Sequence, residues 1–231
     1  MKSHIPASDG LAEKRRQVKY VTQNLEATYG IPQNSHSEDP LDELILTILS
    51  QSTTNINSDR AFASLKARFA DWESARLARP AGIAAAIKSG GLANVKSVVI
   101  KTILNEIRSR TGGLDLSFLK TIPVDEAREF LTSLKGVGPK TAACVLLFSC
   151  KRDVFPMDTH IFRIARRMSL ISERLSDERA HEEMGRFIPK KKHYSLHVNL
   201  IRHGRQICRP RDPKCSECSL IEHCDFGRSQ I

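Results

Sequence analysis

Three features of the sequence predict an all-α fold. Apolar residues recur three and four positions apart in Leu41-Ile45-Leu46-Ile48-Leu49, Val98-Ile100-Ile103-Ile107 and Ile161-Ile164-Ala165-Met168, the spacing of one helical face. Helix starts agree with that spacing: Asp39-Pro40 supplies an N-cap and a first-turn proline, and Pro123-Val124-Asp125-Glu126 puts two acids into a first turn. No segment shows the apolar-polar alternation of a half-buried strand. About nine to eleven helices of roughly a dozen residues fit the chain. They are separated by loops at Gly30 to Asp39, Gly90-Gly91, Thr111 to Gly113, Lys135 to Pro139 and Lys151 to Met157, where glycine and proline cluster.

The 231 residues suffice for one large domain or two small ones without covalent staples. A basic N-terminal stretch (Lys14-Arg15-Arg16) and a cysteine-rich end flank an apolar middle, so the two ends are expected to pair around it. The formal net charge of +10 favours a polyanionic partner, because lysine or arginine placed on phosphate releases condensed counterions. Aromatic residues make up only 6% and do not interleave with the basic ones, which argues for duplex DNA gripped by its phosphates over stacked single strands. The longest purely apolar run, the seven residues from Ala142 to Phe148, falls far short of the roughly 20 that cross a bilayer, so no membrane partner is expected. Six cysteines, four of them in the last 24 residues, and an N-terminus without the apolar core of a secretory signal make a reducing cytoplasm the expected compartment.

Leu134-Lys135-Gly136-Val137-Gly138-Pro139-Lys140-Thr141 separates two expected helices, Val124 to Leu134 and Lys140 to Cys150. Gly136 and Gly138 let the backbone around Val137 approach a ligand closely, and Pro139 suits a first helical turn. Free amides there, with the positive end of the helix dipole, suit one phosphate. Lys140 is an amine at a position where the dipole opposes its charge, and desolvation by a bound nucleotide would push the same way. Cys208, Cys215, Cys218 and Cys224 are spaced C-x6-C-x2-C-x5-C, and four thiolates so close are costly unless a metal neutralises them. Zinc and an iron-sulfur centre both suit four sulfurs. Cys144 and Cys150, on the helix after the hairpin, read as buried thiols, and His193 and His197 as ordinary helix histidines.

The stretch Leu134 to Ala142, with Val154-Phe155-Pro156-Met157-Asp158-Thr159-His160-Ile161-Phe162-Arg163 after it, resembles the helix-hairpin-helix and adjoining aspartate motif of the endonuclease III family of DNA glycosylases. The resemblance runs from about Asp39 to Cys224 and includes the cysteine spacing. It implies a six-helix barrel domain over 34–152 and a discontinuous domain of 1–33 plus 153–231, with DNA in the cleft between them. In that family the four cysteines hold a 4Fe-4S cluster, which makes zinc the alternative here. Arg209, Arg211 and Lys214 within the cysteine loop then present a basic edge to phosphate.

The same resemblance implies a monomeric base excision repair enzyme of the cytoplasm, nucleoid-associated in a bacterium or archaeon. It would remove oxidised pyrimidines from duplex DNA and cut 3′ to the abasic site, with Lys140 as the nucleophile at C1′. Asp158 would stabilise positive charge on the sugar, a role compatible with capping the helix that starts at Thr159. Gln51 resembles the family's glutamine that enters the helix where the base has left. Leu92 resembles its apolar wedge, with Lys96 nearby for phosphate. The alternatives are a monofunctional mismatch glycosylase, against which Lys140 argues, and a non-enzymatic DNA-binding module with a structural metal.

Overall fold

The computed structural model describes residues 7–172 and 175–231. Among these, the helices are α1 (Ala7–Tyr29), α2 (Pro40–Ser50), α3 (Asn55–Arg68), α4 (Trp72–Leu77), α5 (Pro80–Ala86), α6 (Ala93–Thr111), α7 (Val124–Thr132), α8 (Pro139–Phe148), α9 (Thr159–Arg167), α10 (Asp177–Phe187), α11 (His193–Gln206) and α12 (Asp225–Arg228). No strand occurs among the described residues. Twelve helices exceed the expected count because α4, α5 and α12 span only six, seven and four residues. Proline chemistry makes part of the difference. Pro80 holds Arg79 extended at φ −69°, ψ 145°, so the chain between Asp71 and Ile87 breaks into α4 and α5.

Residues 36–152 form one compact unit; the described residues up to Ser35 and from Asp153 onward form another. The first begins at His36 rather than residue 34 and holds the seven helices α2 to α8 rather than six, again because α4 and α5 are separate. Its core joins Leu41, Leu44, Ile45, Ile48 and Leu49 of α2 to Ala142, Val145 and Leu146 of α8, with Ile100, Ile103, Leu104 and Ile107 along α6. Val98, expected on that buried stripe, is 53% exposed, because the face continues through Leu104 instead. Asp39 caps α2 as expected, its Oδ1 accepting the Leu41 N–H at 2.8 Å. The helices flanking the hairpin end at Thr132 and Phe148, two residues short of the expected ends at Leu134 and Cys150.

The second unit packs α1 and α9 against α11 through Val18, Val21, Leu25, Ile161, Ile164, Leu196 and Leu200. Close approach is built into it: a Cβ on Gly204 would lie 2.8 Å from the His160 Cβ, so α11 crosses α9 only where it carries no side chain. His193 and His197 are both buried at 4% exposure, and His197 Nδ1 lies 2.9 Å from the Pro156 carbonyl oxygen.

Burial pushes the His193 imidazole below its ordinary value, against the opposing pull of Asp153. The unfolded chain therefore takes up that proton first as pH falls through about 6.5, so this contribution to stability is full above that pH and is lost below it. Unfolding free energy should drop between about pH 7 and pH 5 with a slope of up to about 1.4 kcal/mol per pH unit from one such group, read as a falling melting temperature. His193→Gln should flatten the profile; an unchanged slope would assign the acid loss elsewhere.

Candidate functional site

The hairpin is held by geometry that only glycine satisfies. Gly136 sits at φ +87°, and a Cβ there would lie 2.9 Å from Cγ1 of Val99 on α6. Gly138 is extended (φ −92°, ψ 175°) and its carbonyl accepts the Ala142 N–H at 3.0 Å, opening α8 with Pro139 in the first position. No side chain caps this end. The amides of Lys140 and Thr141 therefore lie in a first turn that has no internal acceptor for them. Val137 departs from expectation: its side chain is 6% exposed and its N–H donates to the Leu134 carbonyl at 3.1 Å, so it anchors the turn and offers phosphate nothing. Lys140 is exposed, at the second position of α8.

Two loops lie in the same unit. Gln51 follows α2, exposed, with its N–H on the Ile48 carbonyl and its side-chain amide 3.5 Å from Oγ1 of Thr141, the neighbour of Lys140. Leu92 precedes α6 at φ +49°, an uncommon conformation for leucine, and is 60% exposed. Lys96 corrects the expectation of a phosphate contact. It is 3% exposed, and its Nζ donates to the carbonyls of Leu49 at 2.7 Å and Gly90 at 2.9 Å. Its charge is committed inside the protein. Burial lowers its pKa.

Asp158 belongs to the other unit, where its Oδ1 accepts the Ile161 N–H at 2.8 Å and caps α9. The carboxylate is half-buried and fixed in direction by that hydrogen bond.

Cys208, Cys215, Cys218 and Cys224 line one pocket with Ile207, Pro213, Ile221 and Phe226. Among the described residues no group of three or more His, Cys, Asp or Glu side chains is arranged to hold a metal ion. The pocket nevertheless treats its sulfurs as acceptors. Arg167 donates to Cys208 Sγ at 3.3 Å, the Leu220 N–H to Cys218 Sγ at 3.4 Å, and the Gly227 N–H to Cys224 Sγ at 3.3 Å. His203 Nε2 lies 3.5 Å from Cys218 Sγ while its Nδ1 lies 3.1 Å from the Tyr29 hydroxyl. Burial pushes His203 down to about 4, so the ring is neutral at pH 7 and carries one N–H. With Cys218 as a thiolate, that hydrogen sits on Nε2 and Tyr29 donates to Nδ1. A Cβ on Gly227 would lie 2.7 Å from the Ile221 side chain, so the pocket wall also depends on a missing side chain. Burial pushes the Cys218 thiol up to about 11, so a ligand that needs thiolates must displace protons to enter.

Arg209 and Arg211 are exposed on this loop, while Lys214 pairs with both carboxylate oxygens of Glu217 at 3.0 Å. The sequence reading missed the two arginines that hold the loop from α9. Arg163 donates to the carbonyls of Cys208 at 2.9 Å and Gly204 at 2.8 Å. Arg167 donates to those of Arg209 at 2.8 Å and Pro210 at 3.1 Å, and lies 4.3 Å from the Phe226 ring centroid. Their four-residue spacing on one amphipathic helix was a visible signal. What they face was not.

The family model described as HhH-GPD superfamily base excision DNA repair protein matches residues 45–190. The chain is 41% identical over 201 residues to the "Putative DNA glycosylase At3g47830" of Arabidopsis thaliana, covering 83% of this chain and 69% of that one. It is 31% identical over 197 residues to an endonuclease III of Thermotoga maritima, covering 85% of this chain and 88% of that one. Among solved structures, a trapped covalent intermediate of endonuclease III with DNA shares the fold at a TM-score of 0.78 and 22% identity, over 94% of this chain and 98% of that one. A thermostable thymine-DNA glycosylase shares it at 0.79 and 23% identity, over the same 94% and 98%.

The hairpin geometry yields a direct test. Gly136→Ala meets both an unfavourable φ and the Val99 side chain, and should weaken binding to duplex DNA by about tenfold, the equivalent of roughly 1.4 kcal/mol of strain. Fluorescence anisotropy with a labelled duplex measures it; unchanged affinity would remove the hairpin from the interface.

Proposed function

The chain belongs to the HhH-GPD superfamily of base excision DNA repair proteins and is a DNA glycosylase, and on that premise we propose that it is bifunctional, excising oxidised pyrimidines from duplex DNA and then cutting the strand. Lys140 carries the reading: an exposed amine on the first turn of α8, directly after the glycine turn, with the Gln51 amide meeting its neighbour Thr141. Base release alone needs only water; strand cleavage by an imine needs such an amine.

The reaction begins with extrusion of the damaged nucleotide from the stack. As the bond between C1′ and the base stretches, the sugar gains positive charge, which the fixed Asp158 carboxylate stabilises. Lys140, having lost a proton, bonds to C1′ while the base departs with the bonding electrons and takes up a proton. Opening of the sugar ring leaves a protonated imine between Lys140 and C1′. Loss of a C2′ proton then expels the 3′ phosphate, breaking the strand by β-elimination, and water hydrolyses the imine to free Lys140.

The amides of Gly136 and Gly138, with those of Lys140 and Thr141, bind one phosphate, while that of Val137 is spent on the Leu134 carbonyl. Gln51 and Leu92 fill the vacated stack, and Arg209, Arg211 and Lys214 lie along the backbone. Cys208, Cys215, Cys218 and Cys224 would hold a 4Fe-4S cluster, with zinc as the alternative; the pocket's N–H donors and neutral His203 suit ligating thiolates. Such a group supplies a rigid, charge-neutralising clasp for the basic loop and no reacting atom. The protein would act as a monomer in the cytoplasm, on damaged bases and on abasic sites.

Borohydride added during turnover should trap a covalent protein–DNA adduct on a duplex with an oxidised pyrimidine, and Lys140→Ala should abolish it; an adduct persisting in the variant would remove Lys140 from this role. Base release without strand cleavage would instead assign the monofunctional mode. Asp158→Asn should slow excision on the order of a hundredfold while retaining DNA binding. Iron and sulfide assays on purified protein should give a brown, iron-containing chain. A colourless protein holding zinc would overturn the cluster.

A further inference from the structure

Lys96 is a buried cation whose partners are main-chain carbonyls. Its ammonium donates to Leu49 O at 2.7 Å and to Gly90 O at 2.9 Å, at 3% exposure. Removing an ammonium from water is costly, and a packing role alone would be filled as well by an apolar chain of similar length. The placement of the two acceptors is informative. Leu49 lies two residues before Gln51, and Gly90 two residues before Leu92. One ammonium therefore ties together the roots of two separate loops.

Both loops need such a root. Ser52 sits at φ +54°, Gly91 at +69° and Leu92 at +49°, so each loop leaves its helix through the left-handed region. Residues other than glycine stay there only when their surroundings hold them. Leu49 O is one of the last carbonyls of α2, with no partner from its own helix and at the negative end of the dipole, where a cation is favoured. The Lys96 N–H donates in turn to Leu92 O at 2.9 Å, so the residue grips the Gly90-to-Leu92 turn at both ends. A Cβ on Gly90 would lie 3.1 Å from the Ala61 Cβ and 3.9 Å from Leu49 O, leaving little room for either loop to shift.

We propose that Lys96 is a positioning residue that locks the Leu92 wedge and the Gln51 loop into one rigid element, so that both enter the duplex together when a base is extruded. The inference rests on the reading of Gln51 and Leu92 as the residues that fill the vacated stack. It assigns Lys96 no contact with DNA and no part in the reaction at C1′. The lysine acts on the cost of opening the duplex and not on the chemistry that follows.

The test uses Lys96→Met, Lys96→Gln, Leu92→Ala, Gln51→Ala and the Lys96→Met/Leu92→Ala double variant. A duplex carrying 2-aminopurine opposite the lesion reports unstacking by fluorescence. A single-stranded abasic oligonucleotide, which has no stack to fill, reports lyase chemistry alone through borohydride trapping. Lys96→Met should lose the fluorescence rise and slow excision from duplex by about tenfold or more, while single-strand trapping stays within about twofold of wild type. Lys96→Gln, which retains donors for one carbonyl, should fall between, and decides the matter if the Met variant does not fold. The double variant should be no worse than Leu92→Ala, because the two act as one unit.

Equal loss on both substrates, or losses that add in the double variant, would overturn the proposal and make Lys96 a general fold residue. So would Leu92→Ala losing the signal while Lys96→Met keeps it, with the reading of the loops left standing. If neither Leu92→Ala nor Gln51→Ala changes the signal while Lys140 is still trapped, that reading of the loops fails, and the positioning role with it.

Discussion

A chain cut into many short helices has many helix ends, and every end exposes amides or carbonyls that must find partners. This constraint organises the molecule. Asp39 and Asp158 satisfy the amides that open α2 and α9, Lys96 takes the carbonyl that closes α2, and Arg163 and Arg167 take the carbonyls of the loop beyond α11. The start of α8, where Gly138, Pro139 and Lys140 lie, has no side-chain cap, as the starts of α5, α6, α7, α10 and α11 have none. What sets α8 apart is the glycine turn before it, with Gly136 at φ +87°. On the proposed function, a phosphate there would satisfy amides that no side chain meets.

The excess of positive charge divides by the same logic into an inward and an outward share. Lys96, Arg163 and Arg167 spend their donors on the protein's own backbone and fix the shape of loops. Arg209, Arg211 and Lys140 remain exposed, where a polyanion can reach them. Net charge points to nucleic acid, yet it overstates how many cations touch it. In the cysteine pocket the inward share has a second use, since Arg167 donates to the Cys208 sulfur and to the carbonyls beside it, so one guanidinium acts on both the loop's path and the surroundings of that sulfur.

α9 illustrates how chemistry and architecture share residues. Its first turn is capped by Asp158 and packs on Gly204 through His160, and its later turns hold the cysteine loop through Arg163 and Arg167. A carboxylate engaged as a cap is held in one direction, which suits the role proposed for Asp158. Lys140 is held differently, by a helix whose next residues are buried while it stands clear of them. The two groups thus gain their fixity from different units of the fold, each by an ordinary rule of helix ends.

The helical class, the main breaks and the residue types of the site were legible because they rest on local rules: apolar spacing, cap residues, glycine turns and cysteine spacing act over a few positions. Those rules placed Asp39 and Asp158 at caps and Gly136 at a turn. They did not divide α4 from α5, since a single proline decides that against a weak apolar stripe. Lys96 was misread because burial is a property of what packs over a residue: its carbonyl partner at Leu49 lies far away in sequence. Val137 was misread for the same reason. The sequence by itself determined which chemistry-bearing residues the chain owns and where its helices begin. Only tertiary structure decided which of its cations face solvent and which brace the loops from within, because that depends on contacts between segments that local spacing does not encode.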